Sequence, residues 1–320
     1  MSRRAFRRDD GRLLAVVDGF RAEVLRAAPR FTPRQGWSDA DYRAGASKRL
    51  EWAELTLERL RRWGVPLRGA RVLEIGCGSG LDSARLALEG IELAVGIDRV
   101  LPLLARDEAG ERARRLAGEV LSRLGLGRDA EQALQSLPLH LAAMDADRLA
   151  FPDASFDLVW SRYVLEHLQP LDRALKEIAR VLRAGGVIYH AIDPYFWVRG
   201  CHRPGLVDIP WAHARLSLTE YERFVSETEG PLRAARRSDY LRRLNRLTAS
   251  QWRELFEAVP LEVVHWEEDR FPWVEKLLAK YPEAADDTLP GLALDDLTRS
   301  RIIVLLRPPA PGRAPALPRG

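Results

Sequence analysis

Residues 72–80 read Val72-Leu73-Glu74-Ile75-Gly76-Cys77-Gly78-Ser79-Gly80. An apolar run meets three glycines at alternate positions, and the pattern over 81–89 predicts a helix closed by Gly90. Glycine lets the backbone turn sharply and approach a ligand closely. A ligand held by such a turn lies at a strand C-terminus, beside a helix N-terminus. A dinucleotide fingerprint, Gly-x-Gly-x-x-Gly, serves a pyrophosphate. Here the spacing is Gly-x-Gly-x-Gly, and an acid, Glu74, sits in the strand. A carboxylate there suits a cationic ligand group better, which disfavours a nicotinamide oxidoreductase.

Outward from this loop, the chain alternates. Strands are predicted at 71–75, 92–97, 139–144, 156–160 and 187–192, with helices at 81–89, 101–124 and 171–182 between them. Such alternation implies a parallel sheet covered on both faces. A helix at 249–258 and strands at 261–266 and 301–306 complete the pattern. The fold class is α/β: a Rossmann-like, doubly wound, mostly parallel seven-stranded sheet with a helical insertion after the fifth strand. Residues 1–67 are expected to form an N-terminal helical cap, with helices near 12–27 and 47–63. Residues 68–192 form the core, 193–248 the insertion and acceptor lid, and 249–307 the C-terminal part of the core, with a smaller insertion over about 270–299. Residues 308–320, rich in Pro, Gly and Arg, read as a disordered tail.

Two further elements fit a nucleoside-binding reading. Gly96-Ile97-Asp98 places an acid at the end of the second strand, where ribose hydroxyls are accepted in such folds; the alternative is a capping Asp for the next helix. Asp145-Ala146 then precedes Leu149-Ala150-Phe151-Pro152 and Ser155-Phe156-Asp157-Leu158-Val159. Together with Val164-Leu165-Glu166-His167-Leu168 and with residues 177–186, these motifs resemble the class I S-adenosylmethionine-dependent methyltransferases. The resemblance covers about residues 68–192 and the final strands. It is nearest to the small-molecule branch that includes ubiquinone and menaquinone methyltransferases (the type 11 domain). That branch shares its pattern among many substrates, so it is poor evidence for a quinone.

The resemblance implies S-adenosylmethionine as cofactor and assigns residues to it. Glu74, Gly76, Cys77, Gly78 and Gly80 would cradle the methionine part, and Asp98, with Arg99 beside it, the ribose. Asp145 would face the adenine amino group, Ala146 the ring, and Ser161 the reacting methyl. One departure is the stretch of about forty residues between Asp98 and the third strand, which calls for an extra or extended helix on that side.

The acceptor side is read from the insertion. Methyl transfer needs an acceptor held in line with the sulfur–methyl bond, and an oxygen or nitrogen acceptor also needs a base. His167 and His213 are the catalytic candidates among six histidines. Asp193, Tyr195, Trp211 and Arg215 are the candidate acceptor-pocket residues, with His202 nearby in the same mixed aromatic and polar stretch. Asp193-Pro194-Tyr195 invites comparison with the Asp-Pro-Pro-Tyr motif of some amine methyltransferases, but it follows the fifth strand and has one proline. No zinc or iron spacing is present, and no metal is expected.

Bulk composition narrows the class. The chain has 320 residues with 46% hydrophobic and 30% charged residues, as in folded globular proteins. Its pI is near 9.2 although the net charge is only +4. Nearly all the positive charge is Arg interleaved with acids, with short clusters at 3–8 and 233–243. Solvated helix faces explain this better than a nucleic-acid stripe with aromatics. An RNA methyltransferase, and a non-catalytic cofactor-binding module, are the alternatives to a small-molecule enzyme. Two lone cysteines, Cys77 and Cys201, fit a reducing cytoplasm. Ser2-Arg3-Arg4 resembles an export signal, yet Asp9, Asp10 and Asp18 break the apolar core that one requires. No apolar run reaches membrane-span length. The sequence carries no signal of oligomeric state.

Overall fold

A computed structural model describes residues 4–27, 36–200, 202–259 and 261–309. Cys201 and all of the expected tail beyond residue 309 lie outside the described residues.

The chain opens with a hairpin, β1 (Ala5–Arg7) and β2 (Leu13–Ala15), then α1 (Phe20–Ala27) and α2 (Asp39–Arg62). The core follows as β3 (Arg71–Ile75), α3 (Leu81–Ala87), β4 (Leu93–Asp98), α4 (Glu108–Arg123), α5 (Ala130–Gln135), β5 (Leu139–Ala143), β6 (Phe156–Arg162), α6 (Leu171–Val181) and β7 (Leu182–Ile192). The insertion carries α7 (Ala212–Arg215), α8 (Leu218–Glu229) and α9 (Pro231–Arg242). Then come α10 (Ala249–Ala258), β8 (Glu262–Arg270), α11 (Pro272–Lys280), α12 (Glu283–Asp286) and β9 (Arg299–Arg307).

The seven core strands form one sheet in the order β5-β4-β3-β6-β7-β9-β8. The first five are parallel, and β9 runs antiparallel to both its neighbours. Side-chain alternation along each strand builds two apolar layers. Val72, Leu158, Tyr189, Ile303 and Leu305 join α2, α3, α4 and α5 on one face. Leu73, Ile75, Val159, Ile188, Ile302 and Val304 join α6 and α10 on the other. The strand order reverses between β3 and β6, and open α/β sheets bind ligands at such a switch point.

A third apolar cluster stands apart from the sheet. Phe6, Leu14, Phe20 and Val24 of the N-terminal segment pack with Trp197, Trp211, Tyr221 and Phe224 of the insertion and with Val274 and Leu277 of α11. The N-terminal segment therefore does not act as a single helical cap. Its hairpin and α1 complete the insertion's core, while α2 covers the sheet. The helix expected over 12–27 starts only at Phe20, because Leu13–Ala15 pairs with Ala5–Arg7 instead. α2 starts eight residues earlier than the 47–63 pattern, at Asp39. Ser38 and Asp41 form a capping box there, with Ser38 Oγ accepting from Asp41 N.

The long stretch before the third core strand folds as α4 and the extra helix α5, which Asp129 caps through Gln132 N at 3.0 Å. Gly118 lets the α4–α5 link approach, for an added Cβ would stand 2.5 Å from the Arg128 carbonyl oxygen. Ala favours helix over Gly by about 1 kcal/mol, so propensity and packing oppose each other here. Packing should win: Gly118→Ala is expected to lose roughly 1–3 kcal/mol, measured by urea unfolding. A gain in stability would show that the link yields freely.

Candidate functional site

The glycine loop is built from left-handed backbone. Gly76, Gly78 and Gly80 have φ of +71°, +54° and +67°, a region that costs other residues strain. A Cβ on Gly76 would run into the Val164 side chain, and one on Gly80 would lie 2.6 Å from Leu141. At Gly78 a Cβ would meet nothing within 4 Å, so this glycine presents bare backbone to open space. The Asp98 carboxylate pins the loop by accepting from Gly78 N at 2.9 Å, and it accepts from Val100 N at 3.3 Å. A carboxylate has about four acceptor sites, so Asp98 keeps capacity toward a ligand.

Beside the loop lies a cleft with about 900 Å³ of free space, at the C-terminal ends of β3, β4 and β6. Gly76, Asp98, Arg99, Asp145, Ala146 and His167 line it, as do Arg162, Tyr163, Val164 and Gln169. Arg99 and Asp145 are exposed and face each other at 3.9 Å across the rim. Six of the residues singled out in sequence are thus brought together.

Glu74, Cys77 and Gly80 support the loop from behind. Glu74 is buried and accepts from Ser83 Oγ at 2.5 Å and Ser83 N at 3.1 Å. Its neighbour Asp82 pairs with Arg162 and with Arg49, the latter at 3.4 Å. Burial, aided by the Asp82 charge, pushes the Glu74 carboxyl from 4.5 up to about 8. Cys77 is buried against Gly96, and burial pushes its thiol up as well.

Four other expected positions fall away from the cleft. Ser161 is fully buried and bonds His190 Nδ1 at 2.8 Å, because its side chain points into the sheet layers. Trp211 is buried in the insertion's core, with Nε1 donating to the Leu297 carbonyl at 2.9 Å. Arg215 is buried there too, tied to Asp287 at 3.3 Å and to the Pro210 carbonyl at 3.2 Å. His213 is enclosed by Gly200 and Gly205, bonds the Trp197 carbonyl at 2.8 Å, and is held at about 4 by burial. Aromatic and basic residues of the insertion were expected in a pocket; Trp211 and Arg215 belong to its core, and His213 lies between that core and a second groove.

The inner wall is a short 3-10 turn, Leu165–His167. Asn245 of the insertion holds it, donating Nδ2 to the Leu165 and Leu168 carbonyls at 2.8 Å each. Glu166 is buried, and burial pushes its carboxyl up to about 7. Burial, followed by the charges of His202 and Arg99, draws His167 down to about 4. Asp193 is buried behind this turn, accepting from Trp197 Nε1 at 2.9 Å and facing His202 Nδ1 at 3.1 Å. Tyr195 lies in a second groove with Phe196, Leu244, Arg246 and Leu247, which meets the cleft at Gln169. Sequence reasoning missed Arg162, Tyr163 and Asn245. Tyr163 has φ +59°, a strained conformation of the kind that gathers at functional sites, and no local motif announces it.

Residues 73–190 match a family model described as a methyltransferase domain. This segment belongs to the class I S-adenosylmethionine-dependent methyltransferases. The methyltransferase domain is 36% identical to phosphatidylethanolamine N-methyltransferase of Cereibacter sphaeroides, over 39% of this chain and 51% of that protein. It is 29% identical to malonyl-[acyl-carrier protein] O-methyltransferase of Pseudescherichia vulneris, over 48% and 49%. It is 36% identical to tRNA U34 carboxymethyltransferase of Shewanella woodyi, over 42% and 36%. The chain spans about half or less of the length of these relatives. Among the described residues, no helix is long and apolar enough to cross a membrane.

The Glu74 environment yields a pH prediction. A carboxyl raised in the folded state gives stability below its unfolded value, and that stability is lost as pH rises through the folded value. Wild-type stability should therefore fall between pH 4.5 and about 8. Glu74→Gln should remove most of this slope and, at pH 8, be more stable by on the order of 2 kcal/mol. Parallel stability–pH profiles from denaturant titration would contradict the assignment.

Proposed function

We propose that the whole chain transfers the methyl group of S-adenosylmethionine to a small-molecule acceptor held between the core and the insertion. The observation that carries this is the pairing of Gly78 and Asp98. A bare left-handed backbone is hydrogen-bonded to a carboxylate with spare acceptor capacity at the switch point of the sheet, and that carboxylate lines the cleft. They fit a nucleoside joined to a cationic amino acid: Asp98 for the ribose hydroxyls, Asp145 and Ala146 for the adenine, and the loop from Gly76 for the amino-acid part. Glu74 acts through the loop, since its carboxylate faces Ser83. When bound, the cofactor supplies an electrophilic methyl group. The chain's own task is to orient the acceptor and exclude water.

The relatives are named for phosphatidylethanolamine, a carrier-protein malonyl group and a tRNA uridine, so their names do not fix the acceptor. The second groove supports a small molecule with both apolar and polar parts, through Tyr195, Phe196 and Leu244 on the one hand and His213, Arg242 and Gln251 on the other. The basic cluster over 233–243 speaks against RNA, because Arg233, Arg237, Arg242 and Arg243 pair with Glu229, Glu222 and Asp239. A cytoplasmic setting belongs to the same proposal.

Isothermal titration tests the cofactor reading. S-adenosylmethionine should bind saturably and NADH should not. Asp98→Ala removes a charged acceptor of two hydroxyls, which should weaken binding roughly 10–100-fold. Unchanged affinity in a folded Asp98→Ala protein would sink the assignment.

A further inference from the structure

Glu166, His167 and His202 converge at the inner wall of the cleft. One ligand-capable atom from each lies within 4.8 Å of the other two. The rings of His167 and His202 are 4° from parallel with centroids 5.0 Å apart, yet their Nε2 atoms are 3.0 Å apart. The near-parallel rings thus bring the two Nε2 atoms within hydrogen-bond distance of each other. Glu166 Oε1 lies 3.6 Å from His202 Nε2. Glu166 Oε2 is buried without a hydrogen-bond partner, in a side chain 1% exposed.

The far nitrogen of His202 faces Asp193 Oδ2 at 3.1 Å. A carboxylate on the remote nitrogen is what fixes the tautomer of a metal-bound imidazole, leaving the near nitrogen its lone pair. Two carboxylates are buried here together; among the described residues their ion pairs run to His202, Asp193 N donates to Glu166 Oε1 at 3.3 Å, and Arg199 adds a weaker field at Asp193. Buried charge of one sign is costly unless compensated, and a divalent cation would compensate it.

We propose that Glu166, His167 and His202 bind a divalent transition-metal ion, with Zn²⁺ the best match. Two imidazoles and a carboxylate suit Zn²⁺, whereas Mg²⁺ and Ca²⁺ take oxygen ligands. Three protein ligands leave an open position, and His167, which lines the cleft, puts it within reach of the acceptor. A hydroxyl bound there loses its proton more readily. This step rests on the methyl-transfer reading. The acceptor hydroxyl gives its proton to water, its oxygen forms the new bond to the methyl carbon, the carbon–sulfur bond breaks, and the electron pair stays on sulfur as a thioether. The acceptor class is therefore a hydroxyl-bearing small molecule, methylated on oxygen.

The full chain, stripped of metal and shown folded by circular dichroism, would be titrated with Zn²⁺ against a chromophoric chelator. Stoichiometric Zn²⁺ binding is expected, and Co²⁺ in its place should give visible absorption bands. Glu166→Gln and His202→Ala should each weaken Zn²⁺ binding about tenfold or more, and His140→Ala, an exposed residue on β5, should not. Should Glu166→Gln fail to fold, His202→Asn carries the test. Absence of stoichiometric binding by folded wild type, as a protonated His202 would give, overturns the site; so does undiminished binding by the variants. S-adenosylmethionine affinity, measured on the same samples, separates the two readings. Cofactor binding without Zn²⁺ binding defeats the metal site alone. Zn²⁺ binding without cofactor binding upholds the site and removes O-methylation.

Discussion

The hydrogen bond from Gly78 N to the Asp98 carboxylate, at 2.9 Å, joins the ends of two neighbouring strands. β3 must turn away from the sheet to start α3, and β4 must stop beside it. Gly76 and Cys77 both donate to the Ile97 carbonyl, at 2.8 and 2.9 Å, so the loop is bound to β4 along its whole first half. That attachment leaves Gly78 open and keeps the Asp98 carboxylate at the mouth of the sheet. The cleft exists because these strands end together while β6 continues to Arg162, whose guanidinium closes the far side against Trp52 at 5.0 Å. A longer side chain at Gly76 would push on Val164, and with it on the turn that carries Glu166 and His167. The loop and the inner wall are therefore one mechanical unit.

The insertion solves a different problem. A segment of this length inside an α/β domain needs its own apolar core, or it would expose aromatic surface. It acquires one by recruiting the hairpin and α1 from the start of the chain and α11 from the end. Val17 N donates to the Asp208 carbonyl at 2.7 Å, and Leu289 N to the Ala214 carbonyl at 2.8 Å, so both distant segments are tied into it by backbone bonds. Contact with the catalytic side narrows to a few residues, chiefly Asn245 on the inner turn and Asp193 with His202 behind it. An insertion with a separate core and so few ties to the cleft can vary its acceptor-facing surface without disturbing the sheet.

This division explains what the sequence made legible. The sheet, its alternation and the candidates Gly76 and Asp98 follow from local signals: strand period, glycine spacing and an acid at a strand end; Arg99, Asp145 and Ala146, which line the same cleft, come from the family resemblance. α10 agrees with its predicted bounds because Thr248 and Gln251 announce a capping box. Within the insertion the expected pocket residues divide: Tyr195 and His213 line the second groove, whereas Trp211 and Arg215 are packed into the core. Trp211 and Arg215 have the chemistry of a pocket, but burial decides their role, and burial there depends on Phe20 and Val274, far away in sequence. Asn245 acts through carbonyls 77 and 80 residues away, which no local pattern encodes.

Two pairs of acids are buried near the end of β6, and the chain neutralises them differently. Behind the glycine loop, Glu74 and Asp82 meet Arg49, Arg162 and the Ser83 hydroxyl. Arg is permanently charged and has no acceptor or ligand lone pair, so that cluster is fixed and serves to brace the loop. On the cleft side, Glu166 and Asp193 meet His202, with His167 at its edge. Imidazole offers a lone pair as well as a proton. Histidine beside Glu166 and Asp193, and Arg beside Asp82, place adjustable chemistry on one side of the cleft and permanent charge next to the glycine loop.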